Sequence, residues 1–552
     1  MKELFRKINF WNKYFDRREQ FWLSILLVFG MALRTINALY TQLWRDEAYI
    51  FFSSRNNSIL NLLLQKQWDT AHPPLYFIFL HFWQKISVNP FFLRLPSLLL
   101  SAMILYLIPV IAKKIDKKQR LFPLLVLFFY DISQSQISLN MVVRPYPFTI
   151  LFILISIYFL LDFIHSQENQ KQPFSKVIIF ALTNFFIFFS DYSGVWYLLS
   201  IGVFFVIIVL KSGSIKTNKT KSIFLGLLLS MILCLATLPL LFINLNKSLA
   251  LEVGTKTLLS SKGFFNLFFT ENVNFFSGYL LPGFGRIINS KKLIIVINSF
   301  INTTRFDVRI TSLSFLLPVI NFLNIGIAAL LVFCSLVGLY ILKKFNIKAS
   351  ILMFCMVIIP LVLSAMFTVF YYPIFLGRNL FVVNLAVTFG LGYFVARYFE
   401  RFKIFFTGLL LLMFISFFAY FPRVNFVDFP YDWQGLAKFL STSNRINIFL
   451  FSRDPKSDFD QTTAFYFLNI NTKFSRKQYI RFISGLSNLS RYLKVNKSFI
   501  QAKQIDLFFV ETKVGKYSTS ASVFYKKLST ELNCRLTVYN LRELFVASCP
   551  FN

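Results

Sequence analysis

Acidic residues are scarce in this chain. It has 24 Asp and Glu against 58 Lys and Arg, and charged residues of either sign make up 15% of its 552 residues. Soluble domains carry about 25% charged residues, so a soluble globular fold is excluded. Histidine is scarcer still, with His72, His81 and His165 the only three. There are five cysteines, and no Cys or His spacing has the form of a zinc site. Cys234, Cys334 and Cys355 lie in apolar runs and read as small core residues. Cys534 and Cys549 fall in the tail, where a disulfide and two reduced thiols fit the sequence equally well. No internal repeat of the transporter kind is visible. No small-residue cleavage site accompanies the first apolar run. The stretch with Lys2, Arg6, Lys7, Arg17 and Arg18 therefore reads as an uncleaved, cytoplasmic N-terminus.

Apolar residues dominate instead. They make up 56% of the chain, with a mean hydropathy of +0.60. Runs of about 20 apolar residues, the length that crosses a bilayer, recur along most of it. The 73 phenylalanines read as compositional drift and not as a cofactor-binding feature. The net charge of +34 is scattered between apolar runs without a nucleic-acid motif, so nucleic acid is excluded as a partner and membrane lipid is favoured. Basic clusters at 113–120, 211–221, 343–348 and 397–403 set the topology when all are placed on the cytoplasmic side. The predicted spans are 21–41, 93–112, 121–138, 146–164, 176–191, 193–210, 222–243, 315–342, 349–371, 380–397 and 403–421. Residues 42–92 and 244–314 become outer loops. The segment from Pro73 to Ile86 is short for a crossing and reads as a helix lying at the outer surface.

The tail changes character. Residues 422–552 hold no spanning run, and strand-like runs at 446–451, 505–510, 536–539 and 544–547 alternate with helical patterns such as 521–532. The predicted fold is thus an all-α polytopic membrane protein of about eleven transmembrane helices, followed by a C-terminal extracytoplasmic α/β domain. The predicted domains are 1–421 and 422–552.

The candidate chemistry gathers at outer span ends. Asp46 and Glu47 stand just past the first apolar run, in Leu43-Trp44-Arg45-Asp46-Glu47-Ala48-Tyr49. Asp69, His72 and Tyr76 follow in the same loop, within Trp68-Asp69-Thr70-Ala71-His72-Pro73-Pro74-Leu75-Tyr76. Arg94 opens the second span, Arg144 and Tyr146 open the fourth, and Arg378 follows the ninth. Arginine grips phosphate bidentately and stays charged near lipid. A carboxylate can take the proton of an attacking hydroxyl. Each residue also has a plain alternative. Asp46 could cap a helix, the arginines could snorkel to headgroups, Asp69 could cap a turn, and His72 could be an ordinary loop residue.

This ordered pattern resembles the GT-C glycosyltransferases, in particular the protein O-mannosyltransferase and aminoarabinose-transferase superfamily. The resemblance covers roughly 20–420 and rests on Arg45-Asp46-Glu47-Ala48, Asp69, His72-Pro73-Pro74-Leu75-Tyr76, Arg94-Leu95-Pro96-Ser97, Arg144-Pro145-Tyr146 and Arg378. It implies a sugar donor on a polyprenyl phosphate and an inverting transfer to an acceptor hydroxyl, at the extracytoplasmic face of the plasma (inner) membrane. The acceptor would be a lipid, a glycan or a protein. It implies Asp46 as general base with Glu47 beside it. Arg94, Arg144, Arg378 and His72 would bind the donor phosphate, and Asp69, Tyr76 and Tyr146 would contact substrate. The chain departs from the pattern at the start of the fourth span, which reads Ser138-Leu139-Asn140-Met141-Val142-Val143-Arg144 with no acid. The nearest acid is Asp131. No cofactor is firmly implied, and a divalent metal is left open. The rival reading is a lipid-linked glycan flippase, which would want charges in mid-span. The charges read as lying at span ends, which favours the enzyme.

Overall fold

The computed structural model describes residues 14–41, 43, 45–55, 57–64, 72–167, 172–212, 217–252, 317–370 and 380–427, together with five strands of the tail. The chain divides into two compact units. One comprises Met1–Leu39, Asn57–His81 and Phe91–Pro422, and the other Tyr40–Asn56, Phe82–Pro90 and Arg423–Asn552.

The first unit is a helical membrane body. Its long helices are α1 (Arg17–Tyr40), α5 (Pro90–Ile115), α8 (Tyr146–His165), α9 (Phe174–Ser190), α10 (Val195–Ser212), α11 (Asn218–Glu252), α12 (Leu317–Leu342), α13 (Ile347–Phe370), α14 (Phe381–Tyr398) and α15 (Lys403–Val427). Short helices are α3 (Ile59–Leu63), α4 (Pro74–Trp83), α6 (Leu121–Ile132) and α7 (Gln134–Met141). The second unit begins with α2 (Arg45–Arg55). Among the described residues, seven helical stretches are long and apolar enough to cross a membrane, and five shorter apolar ones accompany them. Backbone polar groups have no water to bond in a bilayer core, which is why the described apolar runs are built from helices.

Each predicted span overlaps a helix, with three corrections. The run 121–138 is not one helix. It breaks at Ser133, whose backbone is extended (φ −71°, ψ 109°) and whose hydroxyl accepts the Gln136 N–H at the start of α7. A buried serine that caps the next helix offers the backbone an alternative to continuing the first. The outer loop expected from 244 starts later, because α11 runs on to Glu252. The first unit gives way to the tail after Pro422, and segments 40–56 and 82–90 fall in the same unit as the tail. The Pro73–Ile86 segment forms a helix of ten residues, α4.

One end of the membrane body is tied by charge. Lys113 Nζ, at the end of α5, donates to Glu19 Oε1 at the start of α1 (2.6 Å). Its neighbour Lys114 pairs with Asp162 near the end of α8 and lies 3.7 Å from the centre of the Tyr158 ring. Lys176, in the first turn of α9, is 3.4 Å from the same Asp162. Asn346, between α12 and α13, donates to the Ile115 carbonyl (3.0 Å), and the Tyr393 hydroxyl of α14 donates to Asp116 (3.1 Å). The basic clusters at 113–120, 343–348 and 397–403 therefore share one end, as positive-inside sorting expects. That arrangement fixes the far end as the place where α1 finishes, where α5 and α8 start, and where α9 hands over to α10.

Small residues let two spans approach closely. A Cβ on Gly338 of α12 would strike the Gly390 carbonyl of α14, and one on Gly390 would strike Ser335. Ser335 Oγ donates across the gap to the Val387 carbonyl (2.9 Å). Small residues with a hydroxyl donor are the usual means of helix association in lipid.

The tail forms a five-stranded sheet in the order β2-β1-β3-β5-β4, from β1 (Asn447–Phe451), β2 (Tyr479–Phe482), β3 (Asp506–Thr512), β4 (Thr537–Leu541) and β5 (Leu544–Cys549). β1 pairs parallel with β2 and β3, while β5 pairs antiparallel with β3 and β4. Four strands fall on the predicted runs, and β2 is an addition. The predicted helix at 521–532 and Cys534 lie outside the described residues.

Topology carries its own prediction. A reporter fused after Lys114 is expected to be cytoplasmic and one after Lys85 external, because Lys113 and Lys114 sit at the charge-tied end and α5 starts at the other. Substituted-cysteine labelling in spheroplasts reads both positions. A cytoplasmic Lys85 would put Arg94 on the wrong face for the chemistry proposed below.

Candidate functional site at the far end of the membrane body

The far end of the first unit is built around α5 and the link between α7 and α8. Ser97, one turn into α5 from Arg94, donates to the Val142 carbonyl (2.8 Å), and Ser101 donates to the Asn140 carbonyl (2.9 Å). This seam brings the Arg94 turn and the segment carrying Arg144 to the same end. Arg94 is fully buried, and its Nη1 donates to the Ala38 carbonyl in the last turn of α1 (3.1 Å). A guanidinium there satisfies a helix C-terminus and meets the negative end of its dipole. Arg144 is also buried.

His72 enters from the link before α4. Its Nδ1 lies 3.5 Å from Asp191 Oδ2, an ion-pair distance that is long for a hydrogen bond. Its ring meets the Tyr146 ring edge-on at 6.1 Å, at the N-terminus of α8. Tyr76, in α4, is buried against Phe148 of α8 (5.6 Å, edge-on), which locks α4 to the same helix. Asp191 caps the single 3-10 turn between α9 and α10. Its Oδ1 accepts the Ser193 N–H (2.8 Å) and the Ser193 hydroxyl (2.6 Å). Burial pushes this carboxyl up, but His72 and the Ser193 donors outweigh it and hold the group below the usual carboxylate value. Asp191 was not among the sequence candidates. Its signal was an acid isolated between two apolar runs.

Deeper in the body, Arg34 of α1 faces Asp131 of α6 (3.3 Å), both wholly buried. Arg34 Nη1 also donates to the Gly30 carbonyl (2.9 Å), and its guanidinium lies 5.5 Å from the Tyr130 ring centre. Tyr130 in turn accepts from Asn140 Nδ2 (2.8 Å). A Cβ on Gly30 would collide with the Asp131 carboxylate, so glycine makes the room for the pair. Arg34 precedes the last residue of α1 by six positions, about 9 Å along the helix. The expectation that charges lie only at span ends is corrected here. The sequence hides Arg34 because a single cation does not interrupt an apolar run.

In the second unit, Asp46 and Glu47 occupy the first turn of α2, and both are buried. Carboxylates there complement the helix dipole. With its amide turned to satisfy its neighbours, Gln84 donates to the Phe51 carbonyl (3.3 Å) and accepts the Arg55 N–H (3.0 Å). It thereby clasps the end of α2 to the 82–90 segment of the same unit. Asp69 and Arg378 lie outside the described residues. No cluster of three or more His, Cys, Asp or Glu able to hold a metal occurs among the described residues.

No protein-family profile matches the sequence, and no curated protein does. Among solved structures, the chain is similar to ArnT from Cupriavidus metallidurans bound to undecaprenyl phosphate. The identity is 11% and the TM-score 0.39, over 96% of this chain and 98% of that one. It is also similar to an Archaeoglobus fulgidus oligosaccharyltransferase tethered with an acceptor peptide, with 11% identity and a TM-score of 0.49, over 97% of this chain and 74% of that one. A third is the A. fulgidus oligosaccharyltransferase AglB in complex with an inhibitory peptide and a dolichol-phosphate, at 9% identity and a TM-score of 0.44, over 97% of this chain and 74% of that one. Likenesses this distant carry no weight for activity or substrate.

Proposed function

We propose that the protein is a GT-C membrane glycosyltransferase. It moves a sugar from a polyprenyl-phosphate donor to an acceptor hydroxyl at the extracytoplasmic face, with inversion. The observation that supports this reading most directly is the gathering of Arg94, Arg144, His72 and Asp191 at the end of the membrane body opposite its lysine-rich end. Arginines held at that depth suit a phosphate whose lipid tail stays in the bilayer.

In this mechanism Asp46 takes the proton of the acceptor hydroxyl. The freed oxygen attacks the anomeric carbon from the side opposite the phosphate, and a new C–O bond forms as the C–O bond to phosphate breaks. The lipid phosphate leaves with the bonding pair, its charge held by Arg94, Arg144, Arg378 and His72. No acid catalyst is needed, since the leaving group is already an anion. Glu47 supports Asp46, while Asp69, Tyr76 and Tyr146 contact the sugar or acceptor. Mass spectrometry of envelope glycoconjugates from cells with and without the gene tests the reading. Identical profiles would count against it.

Donor binding gives a sharper test. Arg94→Ala and Arg378→Ala are each expected to weaken binding of a polyprenyl phosphate by about 1.5–3 kcal/mol, the range for a hydrogen bond to a charged group. Unchanged affinity in both variants would reduce these arginines to headgroup anchors and helix caps.

The buried Arg34–Asp131 pair favours a second reading, a lipid-linked glycan flippase, because intramembrane charges often mark transport paths. Proteoliposome assays with a fluorescent lipid-linked saccharide separate the two. Translocation that survives Asp46→Asn would support the flippase.

A further inference from the structure

We propose that Asp191 is the positioning residue for His72, holding the imidazole so that its far nitrogen presents an N–H to the phosphate of a lipid donor. The inference deepens the reading above and rests on it.

The geometry fixes His72 from three sides. Pro73 and Pro74 follow it directly, and proline's locked φ stiffens the approach to α4. Tyr146 stands edge-on to the ring. Asp191 Oδ2 faces Nδ1 at 3.5 Å. Asp191 is itself held, because its other oxygen takes both donors of Ser193. A carboxylate so fixed can orient only through Oδ2, which makes no hydrogen bond and faces Nδ1 at ion-pair distance. An N–H on Nδ1 is therefore directed at Asp191, which leaves Nε2 on the opposite edge of the ring. Nε2 makes no hydrogen bond among the described residues, and the side chain keeps 11% of its surface exposed. In the charged imidazolium both nitrogens carry a proton, and the buried carboxylate offsets that charge. The second N–H is then a donor to an anion at the end of the body where Arg144 and Arg94 lie. The same carboxylate–histidine logic orients imidazoles towards metals and reacting groups elsewhere.

The residue to test is Asp191 itself. Asn at this position keeps an oxygen for the Ser193 N–H and so keeps the turn, since Asn and Asp cap about equally well. Only the charge facing His72 is lost. The probe is undecaprenyl phosphate binding to the full chain in nanodiscs, with inorganic phosphate as the control for a lipid-independent anion site. Asp191→Asn is expected to melt as wild type does and to bind undecaprenyl phosphate about tenfold more weakly, equivalent to about 1.4 kcal/mol. His72→Gln should show a similar loss, and the His72→Gln/Asp191→Asn double variant should be no weaker than His72→Gln alone, as expected for residues acting as one unit. Asp191→Asn with wild-type affinity, or a double variant with summed losses, overturns the proposal. Inorganic phosphate competing as well as the lipid also overturns it, by showing a free-anion site. If the wild-type protein binds no undecaprenyl phosphate, the donor reading falls and this inference with it. Wild-type binding with an unaffected Asp191→Asn variant removes this inference alone.

Discussion

Asp46→Asn is expected to fold normally and to lose transfer by about 10²–10⁴-fold, the usual cost of removing a positioned base. The substitution is close to isosteric. Asp46 lies in the first turn of α2, where an acid interacts with the helix dipole for about 0.3–1 kcal/mol. An unchanged melting temperature is the condition under which a loss of activity on that scale counts as chemistry. The measurement is mass spectrometry of the glycoconjugate in cells carrying the variant in place of the wild-type gene, with melting temperature as the control. Glu47→Gln beside it distinguishes the two acids, and a larger loss there would move the base by one residue. Wild-type product levels from Asp46→Asn would end the assignment.

The second large effect is on stability. Arg34→Leu and Asp131→Leu are each expected to destabilise the membrane body by about 3–5 kcal/mol, because either change leaves an uncompensated charge in the interior. The double variant should recover most of that loss. Arg34 Nε and Nη2 and Asp131 Oδ2 make no hydrogen bond, so the pair is incompletely satisfied and apolar side chains replace it at little cost. Denaturation in mild detergent, followed by tryptophan fluorescence, compares the three proteins. Additive losses in the double variant would show that each residue is held by something other than its partner.

Much of the architecture was legible because apolar length is a one-dimensional signal. Every predicted span meets a helix, and four strands of the tail meet predicted runs, since both patterns need only local sequence. What escaped was decided by partners. Ser133 breaks a run that is apolar on both sides, and only its bond to Gln136 shows that the next helix starts there. β2 is four residues long with Arg481 inside it, too short to register as a strand without the parallel partner β1. His72 and Tyr146 were each visible as polar or aromatic residues at outer ends, but Asp191 gained meaning only when the fold set it opposite His72. The sequence placed the acid pair and the arginines in one domain. The structure instead groups Asp46 and Glu47 with segments of the second unit and keeps Arg94 and Arg144 in the first.

The Arg34–Asp131 contact also bears on the order in which the chain is made. Its partners are separated by 97 positions. Arg34 thus leaves the ribosome and meets the insertion machinery well before Asp131 exists. A lone arginine near the middle of a segment costs about 2.5–3.5 kcal/mol on insertion scales. The first helix accordingly enters the bilayer as a reluctant guest, and it becomes a settled one only when the sixth arrives with the counter-charge. The pairing thus ties the first of these helices to the sixth, with the glycine at position 30 leaving the space that the later carboxylate takes.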